Sequence, residues 1–106
     1  MTARVRLPDT ITAGESFPIR TLISHPMETG FRRDSRTGER IPRRIIHRFE
    51  CSFDGETVFT CDLGPSMAAN PYLEFEARIE HGGTFRFVWV EDGGGEFMVE
   101  RPVAPS

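Results

Sequence analysis

LEFEARIEHGGTFRFVWVEDGGGEFMV, residues 73–99, decides the fold class of this chain. Leu73, Phe75, Ala77 and Ile79 alternate with Glu74, Glu76, Arg78 and Glu80; Phe85, Phe87 and Trp89 then alternate with Thr84 and Arg86, and Phe97 and Val99 complete the set. A period of two puts the apolar residues on one face of an extended chain and the charges on the other, as half-buried antiparallel strands require. Gly82-Gly83 and residues 92–95 supply the hairpin turns, where residues without a Cβ tolerate positive φ.

The same pattern continues toward the N-terminus. Residues 3–7 alternate Ala3, Val5 and Leu7 with Arg4 and Arg6, and residues 16–24 alternate Phe17, Ile19, Thr21 and Ile23 with Pro18, Arg20 and Leu22. Ile45, His47, Phe49, Cys51 and Phe53 share one face of a third strand, Asp54-Gly55 is a turn signal, and the returning strand over residues 56–63 aligns Thr57, Phe59, Cys61 and Leu63. Gly64-Pro65 breaks the pattern, and residues 66–70 form a connector, read as one helical turn. Seven short strands joined by tight turns predict an all-β, immunoglobulin-like β-sandwich of about seven antiparallel strands, one domain over residues 1–106.

A chain of 106 residues buries about two-thirds of its unfolded surface and can fold without disulfides. Its apolar runs are too short to span a membrane. The opening MTARVRLPDT has no apolar core or small-residue cleavage site, so it encodes no secretory signal and, taken alone, implies the cytoplasm.

Cys51 and Cys61 belong to no CxxC pair. A strict two-residue turn at Asp54-Gly55 would put the two thiols on opposite sheet faces, whereas a three-residue turn with a bulge gathers Phe49, Cys51, Phe53, Phe59 and Cys61 on one buried face. The hydrophobic pattern favours the second, with Cys61 opposite His47 or Phe49. Cys51 is then a diagonal of roughly 7–8 Å away, beyond the 4.4–6.8 Å or so that a disulfide tolerates. Two reduced, buried cysteines are expected.

Residues 21–51 read TLISHPMETGFRRDSRTGERIPRRIIHRFEC and hold seven of thirteen arginines in a chain with no lysine. Between Arg32 and Arg48, seven arginines face only Asp34 and Glu39, giving +5 in a protein whose net charge is −3. Arginine's planar fork grips carboxylates and oxyanions and is weakly hydrated, so such a segment is either a partner-facing loop or a solvated one. An acidic pI near 5.6 and strand faces rich in glutamate oppose nucleic-acid binding. No hydrolase, zincin, P-loop or dinucleotide motif is present. The expectation is no enzyme, no catalytic residue, no cofactor and no metal; His25, Met27 and Cys51 could suit a soft metal but read better as packing groups.

The blocks SHPMETG, residues 24–30, and ANPYLEF, residues 69–75, resemble the SoxZ family over nearly the whole chain. That resemblance implies an immunoglobulin-like subunit without catalytic activity in a sulfur-carrier heterodimer of thiosulfate oxidation. The partner would be a SoxY-like chain whose C-terminal Gly-Gly-Cys-Gly-Gly arm carries the sulfur intermediates, with transient docking to other Sox enzymes. It implies a periplasmic location reached by export with the signal-bearing partner, where unpaired thiols must be shielded. The interface candidates are His25, Pro26, Met27, Glu28, Thr29, Gly30, Arg32, Arg33, Asp34, Ile41, Pro42 and Arg43, although Pro26 and Gly30 also fit a purely shape-giving role. Self-association of the isolated chain through exposed edge strands is a further expectation. The competing reading is a stand-alone oxyanion- or metal-binding β-sandwich module.

Overall fold

Strict alternation of buried and exposed residues along Phe17–Ile23 shows why this segment is a strand: Phe17, Ile19, Thr21 and Ile23 are buried and the residues between them are exposed. The computed structural model describes residues 3–24, 33–40, 45–63 and 71–106. Seven strands run in chain order: β1 Ala3–Arg6, β2 Phe17–Ile23, β3 Ile46–Phe53, β4 Glu56–Asp62, β5 Tyr72–Ala77, β6 Gly83–Glu91 and β7 Glu96–Val103. All pairings are antiparallel, in a three-stranded sheet ordered β1-β2-β5 and a four-stranded sheet ordered β4-β3-β6-β7. The fold is an all-β sandwich, as the alternation implies.

Aromatic rings bridge the two sheets. Phe49 of β3 is fully buried, with its ring centre 5.1 Å from Trp89 and 5.8 Å from Phe75 across the sandwich. Phe59 and Phe75 stack at 4.4 Å, and Phe17 meets Phe85 edge-on at 6.1 Å. Each such ring contributes about 1.5–3 kcal/mol through removal from water. The block at residues 69–75 is thereby explained in part, since Phe75 is core and the Pro71 carbonyl accepts the Ile23 N–H at 3.3 Å.

The β3–β4 hairpin resolves the two alternatives for its turn by using parts of both. Phe53 pairs with Glu56 and Ser52 with Thr57, so the turn is a strict two-residue Asp54-Gly55 with φ of 48° and 87°, the left-handed conformation such turns demand. The register then shifts, and Cys51 pairs with Phe59 and Phe49 with Cys61. The extra residue, Val58, forms a bulge that restores the apolar face beyond it. Three expectations need correction. The turn is not of three residues, Thr57 is exposed because it precedes the bulge, and Cys61 is half-buried because it lies on the edge strand β4. A second irregularity between Ile46 and Arg48 in the β3–β6 pairing breaks alternation again, burying both Ile45 and Ile46 and leaving His47 partly exposed. The connector expected at residues 66–70 lies outside the described residues.

Candidate functional site

The arginine-bearing segment connects Ile23, at the end of β2, to Ile45, just before β3. Backbone bonds tie that end together: Ile23 N–H to the Pro71 carbonyl at 3.3 Å, Leu63 N–H to His47 at 2.9 Å, and Asp92 N–H to Ile45 at 2.9 Å. The Asp92 carboxylate returns the last contact by accepting the Ile45 N–H at 3.1 Å. The β2–β3, β4–β5 and β6–β7 connections thus root at one end of the molecule.

Within the segment, residues 33–40 form a small hairpin closed by an antiparallel bridge between Arg33 and Arg40. Asp34 organises it. Its N–H donates to the Glu39 carbonyl and its own carbonyl accepts from Gly38, both at 2.8 Å, while Oδ1 accepts the N–H groups of Arg36 at 2.7 Å and Thr37 at 3.2 Å. This is the local bonding by which aspartate shapes turns. Gly38 has a φ of 72°, where a Cβ would be strained. Thr37 Oγ1 accepts the Glu39 N–H at 3.2 Å, and Arg33 donates to the Gly38 carbonyl at 3.2 Å. The turn holds Arg33, Arg36 and Arg40 exposed.

Of the interface candidates, Arg33 and Asp34 fall here, and they differ in kind. Arg33 is exposed, with one guanidinium N–H spent on the Gly38 carbonyl, whereas the Asp34 carboxylate is taken up by two N–H groups of its own turn. His25, Pro26, Met27, Glu28, Thr29, Gly30, Arg32, Ile41, Pro42 and Arg43 lie outside the described residues. Arg48, counted with the basic segment, belongs to β3 and its charge is matched: Nε reaches Glu50 at 2.6 Å and Nη1 reaches Asp62 at 3.1 Å. The hydrogen bond to Glu50 foremost, then the Glu50 and Asp62 charges, holds its guanidinium protonated still more firmly than usual.

Both cysteines are free thiols. Cys51, fully buried between its cross-strand neighbours Phe59 and Phe87, has its thiol pushed up to about 12 by burial, because a thiolate there would lose its hydration. It is a core group, unable to serve as a ligand at the surface. Among the described residues, no three His, Cys, Asp or Glu side chains come together as a metal site would need.

A second arginine cluster is formed by Arg4 and Arg6 of β1 with Arg20 of β2. Alternation places each on the polar face of its strand, but only the pairing register puts Arg6 directly across from Arg20.

Residues 5–101 match the family described as sulphur oxidation protein SoxZ. No curated protein sequence matches the chain. Among solved structures, the fold is similar to superoxide reductase (neelaredoxin) from Ignicoccus hospitalis, with a TM-score of 0.77 at 16% identity, over 100% of this chain and 81% of that one. Two variants of that protein give TM-scores of 0.76 at 16% identity, over 99% of this chain and 80% of theirs. At that identity the likeness is one of fold.

Proposed function

This chain belongs to the SoxZ family of sulphur oxidation proteins, and from that premise we propose that it is the subunit without catalytic activity in a sulfur-carrier heterodimer. Its partner is a SoxY-like chain that holds sulfur intermediates on a C-terminal cysteine arm, and the pair works in the periplasm after joint export. The carrying observation is the family match over residues 5–101, which runs from within β1 into β7.

The physical role is to shield a face of the partner and to offer contacts to the enzymes that receive the arm in turn. Such contacts must form and release quickly, which favours polar, electrostatically guided encounters over large apolar ones. The exposed Arg33, Arg36 and Arg40 on a turn braced by Asp34 support that reading. The Cys51 thiol takes no part, since it is sealed in the core.

The test is co-expression with the SoxY-like chain and measurement of their affinity, then of thiosulfate-dependent turnover with the Sox enzymes. Replacing Arg32 and Arg33 together by alanine should slow association several-fold and steepen no other step. A double variant with unchanged partner affinity and unchanged turnover with every enzyme would remove the interface role. Calorimetry of the isolated chain with thiosulfate separates this reading from a stand-alone oxyanion-binding module, for which binding would persist without a partner.

A further inference from the structure

Four of the six arginines outside the basic segment line one groove: Arg4, Arg6, Arg20 and Arg101. The groove runs over the outer face of the three-stranded sheet. In register across that sheet lie Arg4, Leu22 and Tyr72 in one row and Arg6, Arg20 and Glu74 in the next. Arg101 joins from β7, which passes beside β1.

This arrangement goes against strand-pairing chemistry. Like charges placed directly across a strand pair repel, yet Arg6 faces Arg20. Arg20 reaches Glu74 only at 3.6 Å with both side chains about half exposed, and Arg4 and Arg6 make no ion pair among the described residues. On the outer face of the other sheet, by contrast with Arg4 and Arg6, Arg48 meets Glu50 and Asp62, and Arg86 meets Glu100 at a distance like that of Arg20 from Glu74. A local conflict that the fold leaves uncompensated is the mark expected of a functional surface.

Next to the charges lies an apolar shelf. Leu22 and Tyr72 are large side chains at 37% and 51% exposure, in a position where alternation would ordinarily put small or charged groups. Arginine and tyrosine together are the residues enriched where protein surfaces meet.

We propose that this face docks an acidic segment of another protein, with its carboxylates on Arg4, Arg6 and Arg20 and an apolar side chain on Leu22 and Tyr72. Charge complementarity selects the acidic partner, since the guanidinium groups of β1 have no carboxylate partner among the described residues. The shelf selects a protein over a free inorganic anion, which has no use for Leu22 or Tyr72. The surface lies outside residues 25–43, so it stands or falls separately from the heterodimer reading.

The experiment is an amide-shift titration of the full-length, isotope-labelled chain with a short synthetic peptide alternating Asp and Glu with Leu and Phe. A peptide with lysine in place of the acids, and inorganic sulfate, are run beside it. The expected result is saturable shifts centred on Arg4, Arg6, Arg20, Leu22 and Tyr72 with the acidic peptide alone, weakening as salt is raised. Arg4→Glu with Arg6→Glu should lower affinity by about tenfold or more, while Leu22→Ser should weaken binding and leave its salt dependence unchanged. Arg6→Glu places a carboxylate opposite Arg20, so the double variant should melt no lower than the parent, which separates lost binding from lost folding. The proposal is overturned by the absence of saturable shifts, by sulfate binding equally well, by shifts centred on residues 33–40, or by undiminished affinity in the folded double variant.

Discussion

Raising the pH above 9 should destabilise this protein through one thiol. Cys51 is fully buried, and burial moves its thiol from an ordinary 9.0 to about 12. Below about pH 9 the folded and unfolded chains both keep this proton, and the group contributes no slope. Between about 9 and 12 the unfolded chain releases it while the folded chain retains it, so stability falls by about 1.4 kcal/mol per pH unit. By roughly pH 11 the loss is about 2–3 kcal/mol, against a total of about 5–15 kcal/mol for a domain of this kind. Urea unfolding under reducing conditions, followed by far-UV circular dichroism at a series of pH values, should show the midpoint falling by about 1–2 M over that range. Cys51→Ala removes the group; it will shift every midpoint downward for the missing sulfur, but the alkaline slope should shrink by one proton. Parallel pH profiles for the parent and the Cys51→Ala variant would refute the argument, because they would mean that the thiolate is no worse solvated in the folded state.

Three further outcomes follow from packing and from local hydrogen bonding. Phe49→Leu should cost about 1–2 kcal/mol and Phe49→Ala about 3–5 kcal/mol, read by urea unfolding, because this fully buried ring contacts Phe59, Phe75, Phe87 and Trp89. Gly83→Ala should cost about 1–3 kcal/mol, read by thermal melting: a Cβ there runs into the Phe53 ring and the Asp54 carboxylate, and Asp54 is held by accepting the Thr84 N–H at 2.9 Å. Asp34→Ala should leave global stability within about 0.5 kcal/mol while amide exchange at Arg36 and Thr37 accelerates, since their N–H groups lose the carboxylate that accepts them; slow exchange at both would show that the turn does not depend on Asp34.

Much of the sandwich is legible in residues 73–99 and in the segments that repeat their alternation, because a strand's side-chain period is fixed by its backbone and one buried face must be apolar. That reasoning finds the strands, the Asp54-Gly55 turn and most of the core. It fails where an extra residue enters a strand. Thr57 and His47 look like core positions by count, but the bulge at Val58 and the irregularity between Ile46 and Arg48 shift the count by one. The candidate site divides in the same way: an excess of arginine at residues 32–48 is visible in composition, whereas the engagement of Asp34 in its own turn and the matching of Arg48 by Glu50 and Asp62 are not.

The sequence by itself determined which residues face inward wherever a strand runs without a bulge, that strands and tight turns would be the building blocks, and, through the blocks at residues 24–30 and 69–75, the family. Only the tertiary structure decided which residues are neighbours. Alternation assigns Arg6 and Arg20 to polar faces without relating them, since cross-strand register depends on turn length, bulges and the packing of one sheet on the other. Once that register is set, Arg6 and Arg20 stand opposite each other beside Leu22 and Tyr72, and scattered surface residues become one surface.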